Sequence, residues 1–355
     1  MSLESVFDAE LHPLIESREQ LLSHVADESW RERLRSGEFG VPPASPHPGA
    51  EVEGRKVPAA ATDPAAVAAA LGEEVEAALL VPAQAMTTAG WLNHGMAATF
   101  CAALNDLLVA EWLLAEPRFR LALAVAPHDG AVAAEEIERL ASNPAVAAVC
   151  MPLIAVNMGQ RHYHPIYAAA ERHGLPVIVH PGGFEGSVIG PASLGGVGPR
   201  TPEETFSMLP QVAMANLASL IYDGAFQRFP ELRVVFAGFG FSWAPPVLWR
   251  ADSEWRGLRV DVPWLTRPPS EYVADHVRFM VDSACELRPE AWRVGAMLPP
   301  SSLIYGSDLP FGEGDAERAL AGAPEDMRER IAVGNARETF GARLGAAAGV
   351  GEKAS

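Results

Sequence analysis

Eight short apolar runs, rich in β-branched residues and separated by helical segments, constrain the fold of this chain more than any other feature of its sequence. They are SVFDAELH (5–12), AALLVPA (77–83), RLALAVAP (120–127), AAVCMPLI (147–154), PVIVHP (176–181), RVVFAG (233–238), VRFMVDSA (277–284) and SLIYGSD (302–308). Such repetition is the pattern of βα units and of a parallel sheet. Amphipathic stretches such as ATFCAALNDLLVAEWLL, AVAAEEIERLAS and HPIYAAAERHG fill the gaps, the last closing on Gly174 in the manner of a helix C-cap. Eight parallel strands is the count of an α/β fold of the (β/α)8 TIM-barrel type, and 355 residues accommodate one such barrel of ~250 residues with insertions. A doubly wound open sheet uses similar units, but no G-x-G-x-x-G follows the first strand.

The sequence therefore predicts one distorted barrel domain over residues 1–342. The segment 38–62, rich in Pro, Gly and Ala, is expected to be a long loop insertion after the first helix that folds over the mouth, and 343–355 a frayed tail. A formal charge of −18 argues against a non-specific nucleic-acid binder or a partner of anionic membranes, either of which needs a basic surface. Cys101, Cys150 and Cys285 form neither a closed disulfide set nor a C-x-x-C pair, so a reducing, cytoplasmic compartment is expected. The N-terminus carries no secretory pattern, and no apolar run reaches ~18 residues.

If the strands close into a barrel, four polar residues fall at C-terminal strand ends, where barrel active sites lie: Glu10 and His12 on the first, His180 on the fifth and Asp308 on the eighth. Residues two apart on a strand share a face, so Glu10 and His12 point the same way. Two carboxylates and two imidazoles on one pocket suit a divalent metal of the zinc, manganese or iron type, with room for water.

These motifs resemble those of the amidohydrolase superfamily, in the amidohydrolase-related branch that includes aminocarboxymuconate-semialdehyde decarboxylase and the resorcylate decarboxylases. The likeness rests on DAELHP for an opening D-x-[HDE]-x-H element, YHPIYAAAERHGLPVIVHPGG for a fifth-strand histidine, DGAFQRFPELRVVF before strand six, LIYGSDLPF for an eighth-strand aspartate, and the closing IAVGNARETFG. It implies Glu10, His12, His180 and Asp308 as metal ligands, with Asp308 also taking a proton from metal-bound water. A homo-oligomer is implied too, in keeping with the tryptophans Trp255 and Trp264. Relatives that bridge two metals use a strand-four lysine. The two lysines here, Lys56 and Lys353, are far from 147–154, so one metal is expected, zinc first.

The chain departs from the family pattern at strand six, which reads VVFAGFGFSW and carries Gly238 where family decarboxylases have a histidine or a glutamate. A metal can lower the pKa of bound water from about 15.7 to about 7, so metal and Asp308 suffice for hydrolysis. Decarboxylation more often needs a separate acid. The reading is a metal-dependent hydrolase of a small organic substrate. The alternatives are a nonoxidative decarboxylase that found another acid, with His94, Glu185 or Asp282 as candidates, or a catalytically reduced partner or scaffold subunit. Phe184, Phe239, Phe241 and Trp243 are candidates for a pocket lining, with at least half of them expected in the core. Arg250 and Asp252 are expected to form a helix-start ion pair, and His162, His164 and His173 to be structural.

Overall fold

The structure, a computed structural model, describes residues 3–36, 51–52, 55–185, 187, 190–191, 198, 201–282, 285 and 288–345. Eight parallel strands form one sheet in chain order: β1 (Val6–Leu11), β2 (Val75–Leu80), β3 (Phe119–Ala124), β4 (Val146–Pro152), β5 (Val177–His180), β6 (Val234–Phe236), β7 (Val277–Val281) and β8 (Leu303–Tyr305). Every expected run holds a strand. Six of the eight are buried along their whole length, because helices cover the outside and side chains fill the inside. β2 breaks the pattern with one exposed residue, Glu76, which pairs with Arg337. The observed strands end one to three residues before the expected C-terminal limits.

Closure between β8 and β1 is not a continuous ladder. It is made just past the end of β8, where Asp308 N donates to Glu10 O (2.8 Å) and His12 N donates to Leu309 O (2.7 Å). Asp8 braces this seam from inside the barrel: its Oδ1 accepts from Ser307 N at 2.8 Å and from Glu10 N at 3.1 Å. Ser307 Oγ adds a bond to Glu10 O. The strands pass so close that a Cβ on Gly306 would lie 2.7 Å from that of Glu10.

The opposite end is held by arginines. Arg120 on β3 donates to the carbonyls of Arg343 and Leu344, and Arg343 in turn reaches those of Ala141, Val146 and His173. Residues 343 and 344 therefore belong to a packed 3-10 turn and not to the expected frayed tail, whose remainder, 346–355, lies outside the described residues. Of the expected insertion, 38–50 lies outside them too, whereas Glu51–Val52 and Arg55–Lys56 pair as a short antiparallel hairpin. Val57 and Ala61 then pack with Leu14, Ala83 and Phe311 into a small apolar cluster, and the Phe311 ring lies 5.3 Å from that of His12. The insertion thus ends beside the mouth.

One helical stretch, His94–Ala115, is long and apolar enough to cross a membrane by length and composition alone, although Asn105, Asp106 and Glu111 interrupt its apolar run, and just over half of it is buried inside the protein. A turn with wider hydrogen bonding interrupts it at Leu108–Trp112. Phe100, Leu104 and Leu107 are buried in the core, and Asn105 donates to Ala124 O on β3.

Asp8→Ala leaves two buried N–H groups at the β1–β8 seam without their acceptor, at ~1–3 kcal/mol each, whereas Asp8→Asn keeps an acceptor oxygen. Chemical denaturation of the metal-free proteins is expected to show a clear loss for the alanine variant and a smaller one for the asparagine variant. Equal stability of parent and alanine variant would remove the brace from this account.

A candidate metal centre at the mouth of the barrel

Glu10 and His12 sit at the end of β1, where the pairing with β2 shifts register between Asp8 and Leu11. His12 Nδ1 donates to Val81 O at 2.7 Å, which turns Nε2 toward Glu10 and Asp308. His180, the last residue of β5, is held alike, its Nδ1 donating to Pro181 O at 2.8 Å. The two rings meet edge to face, 5.2 Å between centroids. His180 Nε2 lies 3.4 Å and His12 Nε2 3.8 Å from Glu10 Oε1. Donor atoms of Glu10, His12 and His180 all fall within 4.8 Å of one another.

Asp308 completes the group with Oδ1 at 3.0 Å from His12 Nε2; its side chain, 13% exposed, and that of His180, 17% exposed, open to the mouth, whereas Glu10 and His12 are closed off. Its φ of +54° is a left-handed conformation that aspartate tolerates better than most residues, and it turns the carboxylate into the mouth.

The electrostatics of the cluster call for a cation. The His12 Nε2 facing an Asp308 oxygen at 3.0 Å calls for a positive charge between them, carried by a proton or by a metal ion. Both oxygens of Glu10 are buried without a hydrogen-bond partner. Burial, then the neighbouring carboxylates Asp282, Asp308 and Asp8, push the Glu10 carboxyl well above the usual range. Burial lowers His180 to about 4, with His12 adding to the effect, so its Nε2 carries no proton at neutral pH. Metal ligands must be deprotonated, and two imidazole nitrogens with carboxylate oxygens fit a divalent ion.

The other expected residues divide differently. Asp282, just beyond β7, is buried beside Glu10 and accepts a bond from Gly238 N at 2.8 Å. Glu185 is spent within its own turn, accepting from Gly182 N and Gly183 N. His94 is exposed and stacks on His128 at 4.6 Å. Phe239, Phe241 and Trp243 are core residues, packed on Phe236, Trp292 and Phe279 respectively, and Phe184 alone of the four is part-exposed. Arg250 pairs with Glu254, not with Asp252, because residues four apart meet on a helix. Asp252 instead accepts from Ser270 N and Oγ at the start of the next helix. His162, His164 and His173 contact Pro127 O, the Phe229 ring and Glu138. Sequence reasoning gave no role to Asp8, although it opens the D-x-E-x-H spacing. Burial raises its carboxyl to about 6 against the pull of its bonds to Ser307 and Glu10.

An eight-stranded parallel barrel with imidazoles and carboxylates gathered at its strand ends is the build of a metal-dependent barrel enzyme. The chain belongs to the amidohydrolase family, whose model matches residues 7–342. It is 27% identical over 195 residues to the 2-amino-3-carboxymuconate-6-semialdehyde decarboxylase of Dictyostelium discoideum, a match covering 52% of this chain and 50% of that protein. The chain thus spans about half the length of that relative. Its fold is similar to that of an amidohydrolase from Mycobacterium avium subsp. paratuberculosis (TM-score 0.72, 19% identity, 96% and 100% of the two chains covered). It is also similar to 5-carboxyvanillate decarboxylase from Novosphingobium aromaticivorans, solved with manganese and 4-hydroxy-3-methoxy-5-nitrobenzoic acid (TM-score 0.69, 18% identity, 95% and 96% covered).

His180→Ala removes one of the two imidazole nitrogens of the cluster. Metal affinity is expected to fall by more than the ~10–100-fold that an outer-shell partner costs. Elemental analysis after dialysis against limiting metal reads this directly, and equal metal in variant and parent would exclude His180 from the site.

Proposed function

We propose that this chain is a metal-dependent nonoxidative decarboxylase of a small carboxylic acid, with Glu10, His12, His180 and Asp308 holding one divalent cation. The observation that carries the metal is the convergence of donor atoms from Glu10, His12 and His180 within 4.8 Å of one another, with Asp308 Oδ1 3.0 Å from His12 Nε2. What favours decarboxylation is the named activity of the similar proteins and the manganese in one of them. This reverses the order reached from the sequence, where Gly238 in place of a histidine tilted the balance toward hydrolysis. Manganese replaces zinc as the first choice on the same support.

When bound, the metal stabilises negative charge on substrate oxygens as the carboxyl carbon departs. Asp308, whose side chain is 13% exposed, faces the substrate and relays the proton that replaces carbon dioxide on the ring or chain carbon: R–COO⁻ and H⁺ give R–H and CO₂. Val81 O and Pro181 O keep the imidazoles in one orientation throughout. Phe311, tilted against the His12 ring, covers that side of it.

Manganese-loaded protein offered hydroxylated benzoic acids is expected to release carbon dioxide. Asp308→Asn is expected to lower kcat at least ~10²-fold, with metal content measured alongside to separate chemistry from metal loss. Turnover of amides or lactones without carbon dioxide would favour hydrolysis, the reading that Gly238 supports. Parent protein that binds no metal would leave a scaffold role.

The same reading places the protein in the cytoplasm, in keeping with three free thiols, and makes it a homo-oligomer. Trp249, Leu258, Val260 and Trp264 are exposed along the helix Ala244–Leu258 and the segment after it, while Trp255 is half-buried. Sedimentation at micromolar concentration is expected to show a dimer or larger, and a clean monomer refutes it.

A further inference from the structure

We propose that Asp282 is a fifth protein ligand of the metal centre, delivering a carboxylate oxygen from the end of β7 beside the turn at Gly238 that follows β6. The inference rests on the metal-centre reading above and extends it to a residue from another strand.

The geometry has three parts. First, Asp282 follows the last residue of β7 and is buried, so its carboxylate is committed to the interior of the mouth. Second, its Oδ2 is fixed by Gly238 N at 2.8 Å. Gly238 lies against the cluster: a Cβ built on it would stand 3.3 Å from His180 Nε2 and 2.8 Å from Pro181 Cδ. The residue that anchors Asp282 is therefore a neighbour of the nitrogen aimed at the metal. Third, the carboxyl group of Asp282 is a neighbour of that of Glu10.

Two buried carboxyl groups side by side need a shared proton or a cation to offset the repulsion and the lost hydration. A bound metal would take the proton's place. With Asp282 the donor set becomes three carboxylates and two imidazoles, richer in oxygen and larger in number than the four-coordinate sets that zinc prefers. Such a set favours manganese or iron(II). The competing account is that Asp282 only ties down the turn at Gly238, a task that an amide oxygen performs equally well.

Asp282→Asn separates the two, because asparagine keeps the shape and the acceptor for Gly238 N but loses the charge. Mn(II) and Zn(II) binding to the metal-stripped full-length chain is measured by calorimetry, together with the Mn(II) paramagnetic resonance spectrum of the loaded proteins. The expected result is Mn(II) binding weakened ~10–100-fold with a smaller change for Zn(II), an altered spectrum, and an unchanged melting temperature of the metal-free variant. Asp282→Glu, which restores a carboxylate, is expected to regain part of the Mn(II) affinity even if the asparagine variant folds poorly. Parent-like Mn(II) affinity and spectrum in Asp282→Asn would overturn the proposal and leave the metal centre intact. Failure of the parent itself to bind either ion would overturn both.

Discussion

The seam between β1 and β8 is the constraint on which the rest of the site depends. Two backbone bonds, from Asp308 N to Glu10 O and from His12 N to Leu309 O, bring the ends of the chain's first and last strands together. Acidic groups that would repel one another in a flexible chain are thereby locked within a few ångströms. The imidazoles are locked as well, because the carbonyls of Val81 and Pro181 hold the Nδ1 of each ring. Charge, lone pairs and burial at the mouth all follow from closing the barrel there. Stability at the other end is handled separately, by Arg120 and Arg343 and their carbonyl partners.

Much of this was legible in the sequence, and for identifiable reasons. Strands buried on both faces must be apolar along their length, so VAAVCMP and VRFMV betray themselves without any partner in view. The parity of Glu10 and His12 follows from the two-residue repeat of a strand, and the place of His180 and Asp308 from where barrel strands end. What escaped was whatever depends on neighbours remote in sequence. Asp8 looked like one more polar strand residue until Ser307, nearly the whole chain away, proved to be its partner. Phe239, Phe241 and Trp243 follow a strand toward the mouth, yet the rings of Trp292 and Phe279 draw Phe241 and Trp243 into the core.

Strand six shows the same limit from the other direction. A single sequence displays what β6 lacks at position 238, and that absence pointed to simpler, hydrolytic chemistry. It cannot display that β7 lays a carboxylate across the same backbone N–H. Judging a barrel site one strand at a time misses exchange between neighbouring strands, because eight strand ends empty into one shared space.

The turn at Gly238 also bears on how such a site can change over time. Its φ of +76° belongs to a backbone that side chains rarely adopt, and Pro181 stands where a Cβ would go. Its N–H is already committed to Asp282. A lineage with this arrangement cannot recover a side chain at position 238 by one substitution, since the backbone would have to rotate and the Asp282 contact would have to break in the same step. The turn therefore acts as a ratchet: its φ, its crowding by Pro181 and its bond to Asp282 would all have to change together.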